Sequence, residues 1–288
     1  MVPARLAVPA ALSIVGGYVD VICYIRYSTF VATMTGNLVI TGQTFFEVVH
    51  DLTGLHNGNL PPAPEPIRAH IKGDVALALV AFRCMVMFFN CVGAFGYCML
   101  HRRFPEATAR TAAPWIALAS LMPDLVSIVA FDHTHKSMLV NPSVSFLAFA
   151  LGFTHFMCSP AAEGSRLKAV TMATTGHMHG LTKLHFRLMS GEKLKKVDWD
   201  KYAVSFTVTL GMTFGAILGA AAMHLNPFGN ETDDWLLAPV AITLFLALRA
   251  HDTYIPPPGG WPAAVGDTHA TDRLATLREA LVTAGQPC

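Results

Sequence analysis

The chain has 288 residues, 53% of them hydrophobic and only 14% charged, with a formal net charge of +1 and a mean hydropathy of +0.45. So apolar a composition excludes an ordinary water-soluble domain and fits a membrane protein with several spans, while the near-neutral charge excludes the basic surface of a nucleic-acid binder. Of the six cysteines, Cys23, Cys84, Cys91, Cys98 and Cys158 lie in or beside apolar runs and Cys288 lies in a polar tail, which is not a disulfide framework.

In chain order, Met1 to Arg5 is a short start with one positive charge, followed by the apolar run Leu6 to Tyr27. Removing this run as a signal peptide would destroy the glycine and acid pattern Gly16 to Asp20, so it is read as an uncleaved first span. Phe30 to Val49 follows with too little chain for a crossing loop and reads as a re-entrant or broken helix. Asp20, Asn37, Thr41 and Gln43 interrupt this apolar stretch. Polar groups at that depth need a bundle interior or a water-filled cavity, and they are the functional lead.

The residues Gly17-Tyr18-Val19-Asp20, Phe30-Val31, Met34-Thr35-Gly36-Asn37 and Gly42 resemble the opening signature of the YoaK-like family of multi-pass membrane proteins. The likeness extends more loosely to about Arg249. It implies an integral membrane protein of unsettled activity and leaves the substrate open. Where that family usually has a Gln-Asn pair, this chain has Thr154-His155, which introduces a group able to titrate near neutral pH.

His50 to Lys72, with Asn57-Gly58-Asn59 and four prolines, is expected to be an exposed loop. Val75 to Leu100 is a long span, tilted to fit the bilayer, and His101, Arg102, Arg103 and Arg110 form a basic loop assigned to the cytoplasm. Ala112 to Phe131 is the next span, with Pro123-Asp124 in its middle. After Asp132 to Ser137 the pattern repeats. Thr154-His155 stands where Val19-Asp20 stood, and Val170 to Lys183, with Thr175-Gly176-His177, answers Val31 to Gln43 with Thr35-Gly36-Asn37. The offset is about 135 to 140 residues at both places, a weak internal duplication. Tyr202 to Leu225 and Trp235 to Arg249 complete the spans.

The charges choose the topology. Lys183, Arg187, Lys193, Lys195, Lys196 and Lys201 form a second basic loop, whereas Pro227 to Asp234 has three acids and no Lys or Arg. Both basic loops share the cytoplasmic side only if neither Thr-Gly segment crosses fully. The expected fold is therefore all-α: a polytopic bundle of six spans and two re-entrant or broken helices, in inverted halves of residues 6–131 and 138–249, with both termini inside. Residues 1–251 form the transmembrane domain, and 252–288 a cytoplasmic Pro/Gly linker and amphipathic tail with Leu274, Leu277 and Leu281 on one face.

Packing expectations follow. Gly211, Gly215 and Gly219, and also Gly93 with Gly96, suit close helix approach, and Cys84, Cys91 and Cys98 read as a small-residue stripe at a helix contact. Arg83 and Asp124 are expected to pair with each other, and Glu163, Arg166 and Lys168 to line the cytoplasmic rim. His177 and His179 point apart on a helix, which argues against a metal site, and His133 and His135 read as solvated.

No catalytic set and no nucleotide motif is recognised, so no enzyme, metal or cofactor is expected. The candidate solute-binding residues are Asp20, Thr35, Gly36, Asn37, Thr154, His155, Thr175, Gly176 and His177. They would meet in one polar cavity near the midplane of a secondary transporter or channel for a small solute or ion, with the lipid bilayer as the other partner. A structural or assembly protein, or a membrane enzyme, is the alternative.

Overall fold

The computed structural model describes residues 2–53, 73–130, 141–159, 162, 165–167, 174–225 and 235–255. The described residues fold into eight helices: α1 (Val2–Tyr27), α2 (Met34–Thr53), α3 (Gly73–Arg103), α4 (Thr108–Ala130), α5 (Val144–Cys158), α6 (Thr174–Met189), α7 (Lys196–Leu225) and α8 (Ala238–Tyr254). Among the described residues four segments are long and apolar enough to cross a membrane, Leu6–Tyr27, Leu77–Arg103, Thr108–Val129 and Lys196–Leu225, and Val144–Cys158 is a shorter apolar helix. The expected tail beyond residue 255 and the residues His133, His135, Glu163 and Lys168 lie outside the described ones.

Prolines sit inside α1 (Pro9) and α4 (Pro114, Pro123) without ending either helix. Serines one turn on turn back onto the same strip of carbonyls: the Ser13 hydroxyl donates to the Pro9 carbonyl at 2.7 Å, and Ser127 to that of Pro123 at 2.9 Å. Such local donors supply polar partners where water is absent. His50 to Thr53 are helical as the end of α2, so the loop expected from His50 does not begin there.

The core is shared by α1 (Leu12, Val15, Val19), α4 (Ile116), α5 (Leu147, Leu151) and α8 (Leu244, Leu248). Many large apolar side chains are exposed on the outer surface, among them Leu38, Phe88, Phe95, Trp115, Phe214, Ile217 and Leu246. A soluble protein would not leave so much apolar surface in water, whereas lipid costs it nothing. Two of the three stripe cysteines belong to this outer surface, and Cys98 is half-buried against the core. Cys84 and Cys91 are exposed, while Val86, Asn90 and Gly93 on the other face are buried, so the expectation of a cysteine-lined helix contact is corrected.

Helix α1 packs on α7 and α8, α3 on α2, α4 and α5, α4 on α5 and α8, and α6 on α7. The glycines set the two tightest crossings. A Cβ on Gly17 would overlap the Met212 carbonyl and one on Gly215 that of Ile14; a Cβ on Gly152 would overlap the Asn90 carbonyl and one on Gly93 that of Phe149. Helices approach this closely only where side chains are missing from both surfaces. Contacts ascend together along α1 and α7, with Ser13 against Gly211, Ile14 against Gly215 and Tyr18 against Gly219, so the two run parallel.

Helices α4 and α8 run antiparallel. The Asp124 carboxylate accepts the Leu237 amide at 2.7 Å at one end, and the Asp252 carboxylate accepts the Arg110 amide at 2.8 Å at the other. Arg26, at the close of α1, lies at the Asp124 end; Arg166, beyond α5, lies at the Asp252 end. Helices α1 and α5 therefore point in opposite directions. Because α7 is parallel to α1, the 190–195 turn before it shares the Asp252 end with the 104–107 turn before α4.

Candidate functional site: the α1–α2 junction and its surroundings

The polar break in the first apolar stretch is a folded-back junction. Ser28, at φ 49°, reverses the chain after α1. The following residues return to the level of Asp20, whose Oδ1 accepts the amides of Val31 (2.9 Å) and Ala32 (2.7 Å) and whose Oδ2 accepts the Thr33 hydroxyl (2.8 Å). From the other side the Asn37 Oδ1 accepts the Phe30 amide (2.7 Å) and the Thr29 hydroxyl (3.0 Å), and its Nδ2 donates to the Phe30 carbonyl. A buried backbone without a ladder partner must be satisfied by side chains, and these two residues supply them.

Helix α3 anchors the same junction. The Asn90 Nδ2 donates to the Val31 carbonyl at 3.3 Å. Arg83 donates through Nε to the Ser28 carbonyl at 3.0 Å and through Nη1 to the Thr44 hydroxyl at 2.7 Å. Asp124 lies instead at Arg26, with 3.8 Å between charged atoms, so the expected mutual pairing of Arg83 and Asp124 gives way to two separate attachments. The reason is position. Arg83 sits in the first third of α3, beside α2, whereas Asp124 caps the start of α8.

The remaining candidates divide. Gly36 faces the Phe30 ring, which stacks on Tyr24 at 4.8 Å between centroids, while Thr35 is exposed. Thr154 is buried but donates to the Ala150 carbonyl of its own helix at 2.8 Å. His155 is half-buried, and its Nδ1 is a buried atom with no hydrogen-bond partner. It stands one turn beyond Gly152, the residue that abuts Asn90. Thr175 and Gly176 lie in the first turn of α6, with side chains outside the described set. His177 reaches Ser205 of α7 at 3.0 Å between Nδ1 and Oγ, whereas His179 is exposed.

Asp20, Asn37 and Asn90 are thus joined through one loop, and α5 meets that group at the Asn90–Gly152 crossing. His177 belongs to the separate α6–α7 contact. Among the described residues no three His, Cys, Asp or Glu side chains gather into a set that could hold a metal ion.

Sequence reasoning named Arg110, Asp124 and Arg166 but missed the clusters they form at the ends of the α4–α8 pair. Arg166, expected at a rim, is buried to 4% side-chain exposure, with Nε 3.8 Å from the Asp252 carboxylate. Its other nitrogens donate to the carbonyls of Ile255 and Glu106, both at 2.7 Å. The signal was present: Arg26 and Arg166 are 140 positions apart, the same spacing as Asn37 and His177.

The profile of a family described as Protein of unknown function (DUF1275) matches residues 8–249. No curated protein and no solved structure matches the chain.

Proposed function

We propose a function from one premise: the chain belongs to the DUF1275 family, a family of membrane proteins. On that premise it is a secondary transporter or channel, passing a small solute or ion between two inverted halves, α1 to α4 and α5 to α8. Six helices span the bilayer (α1, α3, α4, α5, α7 and α8), and α2 and α6 are re-entrant. The turns at 104–107, flanked by Arg102, Arg103 and Arg110, and at 190–195, with Lys193 and Lys195, face the cytoplasm together with both termini.

The observation that carries this reading is an exchange relation in the packing. Swapping α1 to α4 with α5 to α8 turns α1–α7 into α5–α3, α1–α8 into α5–α4, and α2–α3 into α6–α7, and leaves α4–α8 as itself; each of these is a packed pair. The relation holds at single residues: Gly17 on Met212 answers Gly152 on Asn90, and Gly215 on Ile14 answers Gly93 on Phe149. Pseudo-twofold halves with broken helices at their meeting place are the architecture that lets a membrane protein expose one site to either side in turn.

In this reading Asp20 and Asn37 act indirectly, by holding the 28–33 loop in place at the break between α1 and α2. Thr35, Gly36, Thr154, Thr175, Gly176 and His177 belong to the two breaks. His155 is the direct contact, because its Nδ1 has unused hydrogen-bonding capacity in a buried position. The structural alternative draws support from one fact: the Asp20 carboxylate already has three hydrogen bonds within the fold.

A solute-uptake panel on the protein reconstituted in liposomes tests the reading, with His155→Ala alongside. Flux in the native protein and its loss in the variant, at equal reconstitution, is expected. No flux across a panel of ions, amino acids, sugars and organic acids would leave the structural reading in possession.

A further inference from the structure

The two carboxylates at opposite ends of the α4–α8 pair are built alike. At one end Asp124 accepts the Leu237 amide at 2.7 Å and lies 3.8 Å from Arg26. At the other, Asp252 accepts the Arg110 amide at 2.8 Å and lies 3.8 Å from Arg166. Each acid caps the first turn of the last helix in the opposite half, where amides lack helical partners and the helix dipole favours a negative charge. Each also holds an arginine from the close of the first helical segment in its own half. The two clusters are exchanged by the relation that exchanges the halves.

This placement has a mechanical consequence. Helices α4 and α8 map onto each other, so the exchange axis passes between them and the two clusters lie on either side of it. Separating the helices at one end brings them together at the other. A buried charge cluster is also a two-state element: dry and paired, or opened to water that solvates the arginine, the carboxylate and the freed amide. Intermediate separations leave charges neither paired nor hydrated.

We propose that Asp124 and Asp252 are the two gate residues of the molecule, each closing one end of the path and opening only while the other stays closed. The inference rests on the transport reading above and adds to it which residues control access from each side. In this structure both clusters are closed, which corresponds to an occluded state.

The test reads accessibility and needs no solute. Reporter cysteines replace Ser143, buried at the Asp124 end, and Ser165, buried at the Asp252 end, in a chain freed of its own six cysteines. Labelling by a membrane-impermeant thiol reagent is followed from each side of sealed vesicles. Asp124→Asn keeps an acceptor for the Leu237 amide but removes the charge that strengthens that bond and pairs with Arg26, and should raise labelling of the Ser143→Cys reporter about tenfold while leaving the Ser165→Cys reporter unchanged or slower. Asp252→Asn should do the reverse. Arg26→Gln and Arg166→Gln, which leave the capped amides intact, should give the same two patterns in weaker form. Both reporters rising together in every variant, or neither moving, overturns the gate assignment. Reciprocal labelling in a protein that passes no solute keeps the two-state gate and removes the transport reading instead.

Discussion

Asp20 and Ala32 are held together across the break between α1 and α2, with the Ala32 amide 2.7 Å from the Asp20 Oδ1. The same carboxylate takes the Val31 amide and the Thr33 hydroxyl, so one side chain satisfies three donors that have left the helix. Asp20→Ala strands two buried amides and should lower stability by about 3 kcal/mol. Asp20→Asn keeps an acceptor oxygen and should cost about 1 kcal/mol. Thermal unfolding of the purified protein in one detergent checks the order. Equal losses for both variants would mean that the charge, not the hydrogen bonds, holds the junction.

The parallel crossings should not tolerate a methyl group. Gly17→Ala and Gly152→Ala each drive a Cβ into a carbonyl of the facing helix, backbone that has no rotamer to escape into. Each should cost about 2 kcal/mol or more, as overpacking does in rigid contacts. Gly42 on α2 has nothing within 4 Å of its Cβ position, and Gly42→Ala should be neutral or raise stability by about 0.5 kcal/mol through helix propensity. Folded yield and melting midpoint of the three variants, compared directly, decide this.

Arg83 separates charge from geometry. Its guanidinium reaches the Ser28 carbonyl and the Thr44 hydroxyl at once, a span that a single ammonium does not reproduce. Arg83→Lys should therefore recover less than half of the stability lost in Arg83→Ala. Removing the acceptor hydroxyl alone, Thr44→Ala, should cost about 1.5 to 3 kcal/mol, the usual range for one hydrogen bond to a charged group. Chemical unfolding of the set in a common lipid mixture provides the measurement, and full rescue by lysine would contradict it.

The topology has a direct test. Single cysteines at Arg103 and Lys195 should react with an impermeant reagent from one side of the membrane, and a cysteine at Leu225 from the other, because the 104–107 and 190–195 turns share one end of the bundle. Reaction of Arg103→Cys and Lys195→Cys from opposite sides would require α2 or α6 to cross fully.

The amino-acid sequence by itself determined the class of the molecule and the rough bounds of its helices. Length of apolar run and scarcity of charge are local properties, and lipid leaves a chain of that kind no soluble alternative. The similar spacing of Asp20 from His155 and of Asn37 from His177 was likewise readable. Tertiary structure alone decided what each polar residue touches. That Asp20 and Asn37 bond the loop after α1 was not legible, because the loop amides they satisfy have no side-chain signature. The cysteine stripe read as a helix contact because periodicity groups residues on a face without saying whether that face meets protein or lipid. Arg83 and Asp124 were expected to pair because both are charged and apolar flanks surround both, yet ion pairing is set by distances of a few ångströms that only packing defines. The partners found, Arg26 with Asp124 and Arg166 with Asp252, join residues 98 and 86 positions apart, and it is the packing of α1 and α4 on α8 at one end, and of α5 and α8 on α4 at the other, that brings them within reach.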